Sequence, residues 1–245
     1  MHCLGHTKSV FKAMVETETA NSSKTYTQYL IQVQAVSRLP KFPQLDAVEN
    51  RMLGILASRW HEGKPITVLE AMVMLPEIST NTAHRRLTSL RKMGMIELNH
   101  DAQDRRIKYI VPTKATHRYF AQLGQCMGGS KTAPADCARQ YIKYLHLTQE
   151  VRSQPIFQEM DATDIVMLDT WAVAWYGGLP FGVLEALSLI NNRGAANAAS
   201  RLHGLREIGL IELVQYGYLK HVMATNATHD YFSQLGKCMH QALSS

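Results

Sequence analysis

A chain of 245 residues, 46% hydrophobic and 19% charged, has an ordinary globular composition and room for one large core or two small ones. No apolar stretch reaches the length of a membrane span, and the opening MHCLGHTKSVFKAMVETETANSSK has no run apolar enough for a signal peptide, so a soluble cytoplasmic protein with no membrane partner is expected. The net charge of +6 is uneven: residues 1–24 carry three basic against two acidic side chains, residues 25–130 fourteen against eight, and residues 131–245 nine against ten, which directs any anionic partner to the first half.

In chain order, residues 1–24 read as an N-terminal tail. Its His2, Cys3 and His6 lack a fourth ligand, so no metal site is expected. Cys3, Cys126, Cys137 and Cys238 form neither a disulfide framework nor a C-x-x-C pair, which fits a reducing compartment. Helical spacing places Tyr29, Leu30, Val33 and Val36 on one face over 25–38, and Val48, Met52, Leu53, Ile55 and Leu56 on one face over 45–60. Thr67 is placed to cap VLEAMVML, which Pro76 closes. Ser79 caps the next helix, whose inward stripe is Ala83, Leu87, Leu90 and Met93 and whose end is Gly94. MIELNHD and RRIKYIVPT flank the polar turn DAQD as a hairpin, and Thr113 opens a last helix, KATHRYFAQLGQCM.

This order then repeats. LDAVENRML (45–53) lies over MDATDIVML (160–168) and WHEGKPITVLEAM over WYGGLPFGVLEAL at an offset of 115; PTKATHRYFAQLGQCM lies over ATNATHDYFSQLGKCM at 112. TQYL (27–30) answers RQYI (139–142), and Pro40 and Phe42 answer Pro155 and Phe157. The expected organisation is a duplicated domain, residues 25–127 and 137–239, joined by the linker GGSKTAPAD (128–136). The expected fold class is mainly α with small β-hairpins (α+β), as two tandem winged helix-turn-helix domains.

The string ITVLEAMVMLPEISTNTAHRRLTSLRKMGMIE (66–97) and the turn D-A-Q-D-R-R-I-K-Y (101–109) resemble the MarR-like winged-helix transcription regulators, whose wing often carries D-x-x-D-R-R. The resemblance covers residues 25–127. It implies a double-stranded DNA partner, pairing through terminal helices, and a small-molecule effector pocket between those helices and the reading head, though no residue identifies an effector. Members of that family are normally single-domain chains. Tandem domains would allow either an intramolecular pseudo-dimer or a homo-oligomer, and association of chains would present two reading heads to a palindromic site.

With Ala83, Leu87 and Leu90 turned inward, the 3.6-residue period puts Thr80, Asn81, His84, Arg85 and Thr88 on the outward side of a recognition helix at 79–93. A helix in the major groove needs hydrogen-bonding groups there; Arg85 suits guanine O6 and N7, and Asn81 suits adenine or a phosphate. In the second repeat the equivalents are Ala195, Ala196, Ala199, Ser200 and His203, while the inward stripe persists as Ala198, Leu202, Leu205 and Ile208. Arg86 and Arg91 recur as Arg201 and Arg206, which leaves ion-pair, phosphate and base-reading roles open for them. In the wing, 100–108, Arg105 and Arg106 are placed for the minor groove and Lys108 for phosphate, with Lys114 a further phosphate candidate. The family resemblance gives Asp104 the task of orienting one arginine by a charge-assisted pair. The second repeat has lost both arginines and three residues of this turn.

Trp60 and Trp175, Pro65 and Pro180, Tyr119 and Tyr231, Phe120 and Phe232, and Cys126 and Cys238 recur as packing residues, so no cofactor is expected. No phosphate loop, helical pair of metal ligands or G-x-S-x-G is present, and His117 and His229 have no catalytic company, so no enzyme is expected. The leading reading is a sequence-specific DNA-binding transcription regulator. The alternatives are a plasmid or phage replication initiator or partition-type protein, and a protein-interaction adaptor.

Overall fold

The computed structural model describes residues 4–128, 132–177, 181–191 and 197–244. His2, Cys3, the side chain of His6, part of the 128–136 segment, Pro180, Ala195 and Ala196 lie outside the described residues. The fold is mainly helical with two antiparallel two-stranded hairpins, the α+β class expected. It comprises two compact units: residues 32–163 with 241–245, and residues 1–31 with 164–240. The first helix, α1 (Leu4–Ser37), starts far upstream of the expected residue 25. Ser22, Ser23 and Thr27 are buried on it; polar residues of this kind give no apolar period, so the sequence understated the helix.

In the unit built on residues 32–163, four helix starts are fixed by local side-chain caps. Asp46 and Glu49 form a capping box at the start of α2 (Ala47–His61), and Thr67 and Glu70 form another on α3 (Val68–Met72). That second helix ends at Met72, three residues earlier than the apolar pattern implied, because Val73 already leaves the helical region. Ser79 caps α4 (Thr80–Lys92), and Ala83, Leu87 and Leu90 are buried as expected. Met93 is not inward: it is the C-cap residue and 38% exposed. Gly94, at φ +70°, turns the chain there, and Met95 fills the core in its place.

Strands β1 (Ile96–His100) and β2 (Lys108–Pro112) pair with Ile96 opposite Pro112 and His100 opposite Lys108. The Trp60 indole N–H donates to the Ile110 carbonyl at 3.1 Å, tying the hairpin to α2. Thr113 caps α5 (Lys114–Cys126) and also donates to the Gly94 carbonyl, while Thr116 donates to that of Met95. Helix α6 (Pro134–Arg152) packs along α5 and α2. Phe120 meets Tyr141 at 5.6 Å between ring centroids, and the helices touch where Gly124 lies against the backbone of Cys137.

The α2–α6 contact also brings the rings of His61 and His146 to 5.1 Å. Burial, then the neighbouring His146 and Lys143, push the His61 pKa below its ordinary value, against a smaller opposing pull from Glu62. A depressed folded-state pKa means that the unfolded chain takes up the proton first. Stability should therefore be full above about pH 6.5 and decline as the pH falls below it. Urea midpoints of the protein and of His61→Gln, compared at pH 7.5 and 5.5, check this: the variant should lose less on acidification.

The other unit is made of α7 (Ala162–Tyr176), α8 (Val183–Asn191), α9 (Ala198–Glu207), β3 (Ile211–Tyr216), β4 (Leu219–Ala224) and α10 (Asn226–Leu243), with the front of α1. Trp171, Phe181, Tyr231 and Phe232 fill its core. Its ties repeat those above. Trp175 donates to the Val222 carbonyl at 2.9 Å, Thr225 to Gly209, and Thr228 to Leu210. On α1, Tyr26 stacks on Phe232 at 5.7 Å and donates to Asp169 Oδ1 at 2.8 Å. The contact at Gly236 is again with helix backbone, here that of Ser22.

Candidate nucleic-acid interface

The inward stripe of α4 fixes which of its side chains face water. Thr80, Asn81, His84, Arg85 and Thr88 are all exposed along one side, above the turn that Ser79 holds by accepting the Thr82 N–H at 3.2 Å. The two arginines at 85 and 86 part company. Arg86 leans back onto α2, with Nη1 2.5 Å from Asp46 Oδ2 and 3.7 Å from Glu49 Oε1, and this makes it an internal strut. Arg85, Arg91 and Lys92 are exposed and have no ion-pair partner among the described residues.

The turn between β1 and β2 is held by carboxylates acting on backbone. Asp101 Oδ1 accepts the N–H groups of Gln103 at 2.8 Å and Asp104 at 2.9 Å, and the Asp104 and Gln103 bonds hold the Asp101 carboxyl below the usual carboxylate range. Asp104 Oδ1 accepts the backbone N–H of Arg106 at 2.9 Å, and its carbonyl accepts that of Ile107 at 2.9 Å. The Asp104 carboxylate makes no ion pair with Arg105 or Arg106 among the described residues, so it orients the turn through the main chain rather than through a guanidinium. The reason is reach: a short side chain two residues before an N–H closes an Asx-type turn more readily than it meets a long, solvated arginine. His100 Nδ1 donates to the Arg105 carbonyl at 2.8 Å, which fixes that residue's backbone too. Arg105, Arg106 and Lys108 are left exposed.

Between α4 and this turn runs a groove of about 610 Å³. His84, Thr88 and Arg91 form one wall, Arg106 and Lys108 the other, and Leu98 and Ile107 belong to its apolar floor. No acidic side chain lines it. The cationic walls suit a polyanion. Arg85, Asn81 and Thr80 lie on the exposed side of α4 but not in the groove lining. The floor was not visible in the sequence, because Leu98 and Ile107 read there as ordinary strand residues. A second concavity, of about 400 Å³, lies by α6 and the end of α2, lined by His61, Arg139, Gln140 and Lys143 among others.

The other unit presents a different chemistry at equivalent positions. Ala199, Ser200 and His203 are exposed on α9, and His203 Nε2 lies 3.0 Å from Glu207 Oε1. Arg201, the counterpart of Arg86, pairs with Asp164 at 2.9 Å, which supports the strut role for both. Its β3–β4 turn carries the fully exposed Tyr218 and a 63% exposed Leu219 where the first hairpin has arginines. Cys126 is half-buried, Cys137 and Cys238 are buried, and burial pushes the Cys126 and Cys137 thiols up, away from the thiolate form.

The chain matches no protein-family model and no curated protein. Among solved structures it is similar to the heme sensor protein PefR from Streptococcus agalactiae in complex with heme, at a TM-score of 0.28 and 15% sequence identity, over 66% of this chain and 99% of that chain. No helix among the described residues is long and apolar enough to cross a membrane.

Proposed function

We propose that the chain is a sequence-specific DNA-binding regulator of transcription, a tandem duplicate of one winged helix-turn-helix in which only the first copy reads the duplex. The observation that carries this is the segregation of unpaired polar groups. On α4 and the β1–β2 turn, exposed Arg85, Arg105 and Arg106 have no carboxylate partner among the described residues, whereas Ser200 stands in the place of Arg85 and the shorter β3–β4 turn carries Tyr218 and no arginine. Arg91 and Lys108 recur as the exposed Arg206 and Lys220 and do not distinguish the copies. In this reading α4 enters the major groove, with Arg85 on guanine, Asn81 on adenine or phosphate, and Thr80, His84 and Thr88 on base edges or backbone. The turn carries Arg105 and Arg106 to the minor groove, and Lys108 meets a phosphate. A small-molecule effector would enter at the concavity beside His61 and Lys143, next to the α6 seam.

The test is selection of duplexes from a random pool by the purified protein. The proposal expects a salt-sensitive preference for one or two half-sites, and the absence of any enriched duplex counts against it. Within that assay, Arg106→Ala should weaken binding, lower the slope of log affinity against log salt by about one, and leave the enriched sequence unchanged. A second reading, a protein-interaction adaptor, is favoured by the exposed Tyr218 and Leu219 on the β3–β4 turn and by Leu184, 83% exposed on α8. The two readings are compatible if the second copy docks a partner while the first holds DNA.

A further inference from the structure

We propose that the groove between α4 and the β1–β2 turn is also a docking site for a short acidic, leucine-bearing segment of another protein, and that this occupant shuts the reading head to DNA. The groove offers two chemistries, and a duplex uses one of them. Arg91, Arg106 and Lys108 stand on its walls without an ion-pair partner among the described residues, and no acidic side chain lines it. A duplex brings phosphates to such walls. The remaining lining is apolar: Leu98 and Ile107 lie on the floor, and Leu69 of α3 lines the same groove while 76% exposed. Ile107 is 37% exposed. A sugar–phosphate backbone brings little apolar surface to cover these side chains, whereas a leucine laid on them leaves water at a gain. Large apolar groups left in water at the edge of a charged cleft mark a contact with protein.

Size and the placement of charge select the occupant. A groove of about 610 Å³ falls in the range of about 300–1,000 Å³ that takes drug-sized ligands, so it admits the side chains of a short segment and not a folded domain. A small molecule with one carboxylate calls for cations gathered at a point. Here they are spread: His84, Thr88 and Arg91 follow one another along α4 at intervals of four and three residues, and Arg106 and Lys108 line the facing wall. Separated cations above an apolar strip match a chain with leucines on one face and carboxylates beside them, an acidic amphipathic helix docked by its apolar side. Its leucines go to the floor and its carboxylates to the walls. The exclusion of DNA rests on the reading in which α4 enters a duplex; the docking stands without it.

The experiment titrates the full chain with a fluorescein-labelled synthetic helix bearing leucines on one face and glutamates on its flanks, and with a peptide of glutamate alone. The leucine-bearing helix should bind and displace the selected duplex, and the glutamate peptide should bind at least about tenfold more weakly, the worth of one buried leucine. Leu69→Ser should weaken the leucine-bearing helix about tenfold and leave duplex affinity within about twofold, because the walls and not the apolar lining meet phosphates. Leu184→Ser, at the same place in the second repeat, where Ala199 and Tyr218 replace His84 and Arg106, should change neither. Both leucines are largely exposed, so neither substitution threatens the fold. Equal affinity for the two peptides would overturn the proposal, as would binding indifferent to Leu69→Ser, or a ternary complex of peptide, protein and duplex. A chain that bound the peptides with the expected differences but bound no duplex would sink the DNA reading and leave the docking site established.

Discussion

Gly124→Ala is expected to lower stability by about 2 kcal/mol or more, although alanine is the better helix former by about 1 kcal/mol. The two effects oppose each other, and geometry decides between them. A Cβ at residue 124 would run into the carbonyl oxygen of Cys137, part of the α6 backbone and unable to swing aside as a flexible side chain could. Relief requires α5 and α6 to separate, and that opens the contact between Phe120 and Tyr141 along the same seam. Gly204, on α9, supplies the control. Nothing lies within 4 Å of a Cβ there, so Gly204→Ala should gain up to about 1 kcal/mol from helix propensity alone. Urea denaturation of both variants checks the pair. Opposite shifts in midpoint are expected, and a stabilised Gly124→Ala would mean that the seam is looser than described.

Arg85→Ala is expected to cost about 1–3 kcal/mol of affinity for the selected duplex and to relax the preference at one base position. Of the paired arginines on α4, Arg86 is committed to Asp46 and Glu49, so only Arg85 has a planar fork available for a base edge. Arg86→Ala should behave differently, destabilising the fold through loss of an ion pair with a nearly buried carboxylate partner while leaving sequence preference unchanged once the protein is folded. Ser200→Ala on α9 should change neither affinity nor preference. Competition titrations against permuted sites distinguish the three variants. A Ser200→Ala effect equal to that of Arg85→Ala would remove the asymmetry on which the functional reading depends.

Much of this was legible in the chain because the governing contacts are local. Thr67, Ser79 and Thr113 cap helices within three residues of themselves, and the alternation of Ala83, Leu87 and Leu90 fixes the outward face of α4 without reference to the rest of the fold. Met93 was misread because the apolar period was carried onto the cap: the helix ends at Lys92, and Met93 is the cap residue before the turn at Gly94. Asp104 was assigned to a guanidinium by resemblance, but it bonds the main chain of Arg106, a choice between two close partners that sequence cannot make. The partner of α1 was hidden for a more general reason. A helical stripe says which side is covered, never by what, and Ser22 and Ser23, which fall in the stretch read as an N-terminal tail, meet Gly236 and the His229 carbonyl.

In the proposed complex α4, and not α9, enters the duplex. Site-specific photocrosslinking measures it most directly: a photoreactive residue is placed at position 88 in one protein and at position 203 in another, and each is irradiated on the selected duplex. Crosslinks to base edges from position 88, with none from 203, are the outcome expected. Crosslinks from 203 alone would contradict the account and assign the reading to the second repeat.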